Sequence, residues 1–199
     1  MTKNQQLLAK MGGGSLALLL SLSLGQQASA TTLVSNLPST PPMGYPVKFD
    51  EWLRSSFTTG GGSYGYTINS VTLRLAEMTA NPNLFVRLYK DSPGGLGSLI
   101  ASFTNPSFTL NTTRDYIFTI TNPQILTANT TYWLVAGISG GSGEDFWAFT
   151  TSPNQTGLPG WSIGNNSFYS DNQGDIWSNN FSTTFSAFQF SVNGQDHSL

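Results

Sequence analysis

The chain holds few residues able to do acid–base or nucleophilic chemistry. His197 is the one histidine, and it sits in a polar tail expected to be mobile, so a catalytic triad or histidine-held metal has nothing to be built around. Serines are plentiful, yet no base is placed beside any of them, and neither a Gly-x-Ser-x-Gly elbow nor a phosphate-cradling glycine loop occurs. Glycoside hydrolysis needs two carboxylates facing across a cleft. Glu144 and Asp145 are adjacent and would point to opposite faces of an extended strand, and Asp50 and Glu51 share that defect. A facing pair would have to come from distant loops, such as Glu144 with Asp175; solvated loop carboxylates are the plainer reading. Asp171-Asn172-Gln173-Gly174-Asp175 sets side-chain oxygens around a glycine turn, a composition that calcium accepts, with Asp171 and Asp175 as candidate ligands. It lacks the full EF-hand pattern and reads first as an Asx-rich turn, so no metal or cofactor is expected.

Trp147, Trp161, Tyr169 and Trp177 are the sharper candidates. Flat rings stack on the apolar faces of sugars while Asn and Asp satisfy the hydroxyls. The rival reading has these rings capping one end of a core, where each would bury about 150–250 Å². Trp147 is the expected core member, and Trp161 and Trp177 the expected exposed ones.

The elements that must position these residues are set by export and by strand chemistry. Lys3 and Lys10 give a basic start, Met11 to Leu24 an apolar stretch, and Ala28-Ser29-Ala30 a small-residue cleavage site: the three parts of a secretory signal peptide over residues 1–30, helical and cleaved after Ala30. The apolar stretch is too short, and too diluted by glycine and serine, to span a ~30 Å hydrocarbon core, and no second span follows, so no transmembrane anchor is expected in the mature chain. Removing 30 of the 199 residues leaves 169, the size of one domain over 31–199, with its core in about 33–193. Without Lys3 and Lys10, six of the eight basic residues face ten acidic ones, which argues against nucleic acid as a partner. Only 9% of residues are charged, against ~25% in ordinary soluble domains, so the surface should be neutral and hydroxyl-rich. The absence of cysteine removes disulfides, thiol catalysis and zinc–thiolate sites together.

Val71, Leu73 and Leu75 alternate with Thr72 and Arg74, the period of a half-buried strand. Leu84, Val86 and Leu88 repeat it, as do Tyr116, Phe118 and Ile120. Phe188, Phe190 and Val192 do likewise, with Gln189 and Ser191 expected outward. Tyr132-Trp133-Leu134-Val135-Ala136 is apolar on both faces and reads as a central strand. Gly60-Gly61-Gly62, Asn81-Pro82-Asn83, Ser92-Pro93-Gly94-Gly95, Asn122-Pro123 and Gly140-Gly141-Ser142-Gly143 supply the reversals. No capped helical periodicity follows residue 30, and Ser139 to Asn180 reads as the least regular region, where binding loops would lie. The expected fold is all-β: an antiparallel β-sandwich, jelly-roll-like, preceded by the helical signal peptide.

Several stretches together resemble the choice-of-anchor R domain family of exported bacterial proteins. They are Ser56-Phe57-Thr58-Thr59-Gly60-Gly61, Ile68-Asn69-Ser70-Val71-Thr72-Leu73-Arg74-Leu75, and Val86-Arg87-Leu88-Tyr89-Lys90-Asp91 before Pro93-Gly94. Leu126-Thr127-Ala128-Asn129-Thr130-Thr131-Tyr132-Trp133-Leu134-Val135 is the most specific, followed by Trp147 and the strand around Phe188 and Phe190. The resemblance implies an extracellular β-sandwich of unassigned function, often retained by a C-terminal sorting signal. Asn193 to Leu199 carries no such motif, so anchoring by that route is not expected. The resulting expectation is a non-catalytic module of the cell exterior, extracellular or periplasmic, with a structural or interaction role; its candidate partners are extracellular polysaccharide or other surface proteins. The alternatives are a glycan-binding module using the four loop aromatics and, more remotely, a glycoside hydrolase-like enzyme.

Overall fold

Strands account for nearly all the regular structure, because β-branched and aromatic residues recur at period two between glycine- and proline-marked reversals. The computed structural model describes residues 30–37, 43–76, 83–179 and 187–197. The expected signal peptide, apart from Ala30, lies outside the described residues. In chain order the strands are β1 (Thr31–Ser35), β2 (Met43–Val47), β3 (Trp52–Thr58), β4 (Tyr66–Ala76), β5 (Leu84–Ser92), β6 (Gly95–Ser102) and β7 (Arg114–Leu126). There follow β8 (Thr131–Ile138), β9 (Asp145–Thr150), β10 (Thr156–Gly157), β11 (Ser162–Ser170), β12 (Ala187–Phe188) and β13 (Phe190–Asp196). Among the described residues no helix is present, and none is long and apolar enough to cross a membrane.

Two antiparallel sheets form the sandwich. One has eight strands along the path β10-β1-β13-β4-β9-β12, with β7 added to β4 and β2 to β9; the other has five, in the order β11-β3-β8-β5-β6. β8 is central in the smaller sheet, as its two-sided apolar run predicts. The core lies between the sheets: Ile68, Val71, Leu73, Leu75, Phe118, Phe190 and Val192 from one meet Leu53, Phe57, Val86, Leu88, Leu134 and Ile138 from the other, all essentially inaccessible to water. Each such side chain contributes about 1.5–3 kcal/mol of burial.

Two expectations are corrected. Gln189 and Ser191 do not face water; both are buried. The chain changes neighbours at Gln189, pairing with β9 through Phe188 and with β4 from Phe190 onward, and the buried kink needs partners for every backbone group. Gln189 N–H donates to the Ala148 carbonyl at 2.7 Å, and its carbonyl accepts from Arg74 N–H at 3.1 Å and Trp147 Nε1 at 2.9 Å. Asn36 clamps both sides: its Nδ2 donates to the Phe188 carbonyl at 2.9 Å and its Oδ1 accepts from Phe190 N–H at 2.8 Å. Phe188 N–H reaches across the sandwich to Ser167 Oγ at 3.1 Å. Ser191 is hemmed in because β13 is flanked by β1 and β4.

Ser139 to Asn180 is likewise not loop alone: it holds β9, β10 and the whole of the edge strand β11. β11 escapes a periodic reading because its register against β3 slips between Ile163 and Ser167, so its buried residues do not keep one alternation.

Candidate ligand-binding face

The outer face of the five-stranded sheet is built from three rungs. Arg54 of β3 and Arg87 of β5 both pair with Val135 of β8, and Phe168 of β11 lies opposite Arg54. On one side Ser56, Trp133 and Tyr89 form the next rung. On the other, Phe85 pairs with Gly137, and Trp52 closes over the same glycine: the Trp52 and Phe85 rings meet edge to face at 4.8 Å. A Cβ at Gly137 would stand 2.5 Å from Phe85 Cζ and 2.7 Å from Trp52 Cδ1, so only glycine lets the rings approach the backbone this closely.

Arg54 is the centre of this face. Its guanidinium carbon lies 4.3 Å from the Trp133 ring, 4.6 Å from Trp177 and 4.7 Å from Phe168. The side chain is 6% exposed, yet Nε and Nη1 have no hydrogen-bond partner among the described residues. Burial pulls the guanidinium well below its ordinary value, to about 10, against the opposing pull of the Asp91 carboxylate. Asp91 is itself engaged, accepting from Trp133 Nε1 at 2.7 Å. Arg87 stacks on Phe85 at 4.2 Å. Trp52, Phe85, Tyr89, Trp133, Phe168 and Trp177 are all half-buried, packed at their edges while keeping some surface open.

The residues singled out in the sequence scatter. Trp147 is wholly buried and stacked on Phe188 at 4.7 Å, as expected. Trp161, expected exposed, is 7% accessible: it lies parallel to Phe57 at 5.8 Å and edge-on to Tyr66 at 4.8 Å, closing one end of the core. Tyr169 leans on Tyr45 at 6.0 Å and packs against the core. Trp177 alone of the four joins the face just described. The structure therefore does not gather them into one sugar platform. Trp52, Trp133, Phe168 and Arg54 make up most of the outer face instead, and the signal that could have found them is the alternation of Trp52-Leu53-Arg54 and Trp133-Leu134-Val135, where every second residue turns outward.

Other candidates find partners within the fold. Glu144 and Glu51 both meet Lys48 Nζ, at 3.5 and 3.3 Å, while Asp145 is buried in β9. Burial lowers the Lys48 ammonium, but its hydrogen bonds and charge pairing with Glu51 and Glu144 outweigh that, and its pKa is raised overall. Asp171 and Asp175 are exposed on a turn that closes on itself: Ser170 Oγ accepts from Gly174 N–H at 2.8 Å and Asn172 Oδ1 from Ile176 N–H at 2.9 Å. Among the described residues no three His, Asp or Glu side chains cluster as a metal site. His197 is docked on β4, its Nε2 bonded to Thr67 Oγ1 and its N–H on the Gly65 carbonyl at 3.4 Å, rather than loose in a tail. Comparison with protein-family models and with curated proteins returns no match.

Proposed function

We propose that the chain is an exported, non-catalytic interaction module that engages its partner through the outer face of the five-stranded sheet. The observation that carries this reading is Arg54: a guanidinium boxed by three rings on the outer face of the sheet, with Nε and Nη1 buried and unpaired among the described residues. Unpaired buried donors cost about 1–3 kcal/mol each, and the rings beside them offset only part of that. Export is supported by the three-part pattern of Met1 to Ala30. The stretches resembling choice-of-anchor R domains coincide with β3, β4, β5 and β8, and β3, β5 and β8 bear this face. A binding role is favoured over hydrolysis because Glu144, which an acid pair would need, is held by Lys48.

The test follows the full chain as its host exports it, measuring adsorption to the producing cells and product release from a broad glycoside panel. Saturable adsorption without turnover is expected. Turnover that disappears in Glu144→Gln or Asp175→Asn would replace this reading with the enzymatic one.

A further inference from the structure

We infer that the ring-and-guanidinium face binds a carboxylate-bearing saccharide, its acid groups taken by Arg54 and Arg87 and its sugar rings lying on Trp133 and Trp177. The inference rests on the interaction-module reading above and names its ligand class.

Guanidinium has five N–H donors and no acceptor, so whatever meets Arg54 at the edge its rings leave uncovered, with Nε and Nη1 sealed beneath them, must bring acceptor oxygens. Water could satisfy a donor but would leave the buried charge uncompensated, whereas an anion does both. Lys48 and Arg74 each hold a carboxylate within 3.5 Å, whereas among the described residues Arg54 and Arg87, like Lys90 and Arg114, do not; of these four, Arg54 and Arg87 are the two that stack on rings. Neither Arg54 nor Arg87 has a carboxylate within ion-pair distance among the described residues, although acidic side chains outnumber basic ones, ten to eight. Arg54 and Arg87 stand on one rung with their backbones about 10 Å apart across two strand spacings, and two cations so placed are complementary to a ligand that repeats its negative charge.

Shape selects the saccharide. A free inorganic anion has no flat face to place against Trp133 and Trp177. An extended peptide would add to an open sheet edge, but the rung lies inside the sheet, with β11 and β6 taking the edges. A sugar ring presents an apolar C–H face to an indole and hydroxyls to its surroundings. The exposed Asp91 carboxylate, already oriented by Trp133 Nε1, stands beside that ring to accept from them.

The experiment titrates the full exported chain with polygalacturonate, with the same polymer after carboxyl reduction, and with poly-glutamate, read by tryptophan fluorescence and calorimetry at two salt concentrations. Polygalacturonate should bind saturably and more weakly at high salt, and the reduced polymer should lose about tenfold or more in affinity. Arg54→Met and Arg87→Gln should each cost a similar factor, with circular dichroism checking the fold; Arg87 is half-buried, so its variant stands if the other fails to fold. Equal binding of native and reduced polymer, or binding indifferent to both variants, overturns the acid-group inference while the interaction module survives, since binding persists. Poly-glutamate binding as tightly overturns the saccharide assignment. If no polymer binds, the inference falls, and adsorption to cells decides the module reading separately.

Discussion

Arg54 is nearly balanced between what it costs and what it gains. A guanidinium pKa drawn down to about 10 corresponds to about 3 kcal/mol against the charged form. Three ring contacts return about 0.5–1 kcal/mol each. Arg54→Met should therefore unfold in urea within about 1 kcal/mol of the parent at pH 7, rather than show the 3–5 kcal/mol loss that follows breaking a buried ion pair. The sign with pH is fixed by the depressed value. Stability linked to neutral Arg54 is present above the ordinary guanidinium range and lost as pH falls through about 10, so the difference between variant and parent should stay flat from pH 6 to 9 and move in the parent's favour above 10. Gly137 is less forgiving. Gly137→Ala forces Trp52 and Phe85 apart and should cost about 1–3 kcal/mol, with a changed near-ultraviolet dichroism from the displaced Trp52.

The junction of β12 and β13 depends on a side chain far away in sequence. Asn36 bonds the Phe188 carbonyl and the Phe190 N–H there, so Asn36→Ala removes a buried hydrogen bond from each and should lower stability by about 2–4 kcal/mol, read as a shifted denaturant midpoint with an unchanged slope. That dependence explains what the sequence could and could not convey. Val71, Leu73 and Leu75 were legible because β4 keeps strict alternation through that stretch, and β8 because both of its faces are covered. Gln189 was not, since alternation assigns a direction to a side chain but carries no sign that a strand will change neighbours there. β3 hid for a related reason: Arg54, Ser55 and Ser56 read as polar yet all are buried, Ser55 against Ser167 inside the sandwich and Arg54 beneath its rings. The ring-and-guanidinium face was half legible. Trp177 stood out by residue type, but the cluster uniting it with Arg54, Trp133 and Phe168 comes from pairing between distant segments, and the loop aromatics drew attention to Trp161, which fills the core.

Across the whole molecule the two sheets share one core, with Phe57 and Phe190 touching from opposite sides at 6.3 Å. Phe57→Ala and Phe190→Ala should each cost about 3–5 kcal/mol, and the double variant should lose less than their sum because both empty the same space. Tryptophan fluorescence and far-ultraviolet dichroism should report a single coincident transition.

The pairing of Thr31 with Gly194 and Thr32 with Asn193 brings the two ends of the folded domain together on the larger sheet, while Arg54 and its rings lie on the far side of the smaller one. A tether joined at either end would thus leave from the molecule's back, and whatever it is fastened to would hold the arginine rung pointing outward, clear of its own support.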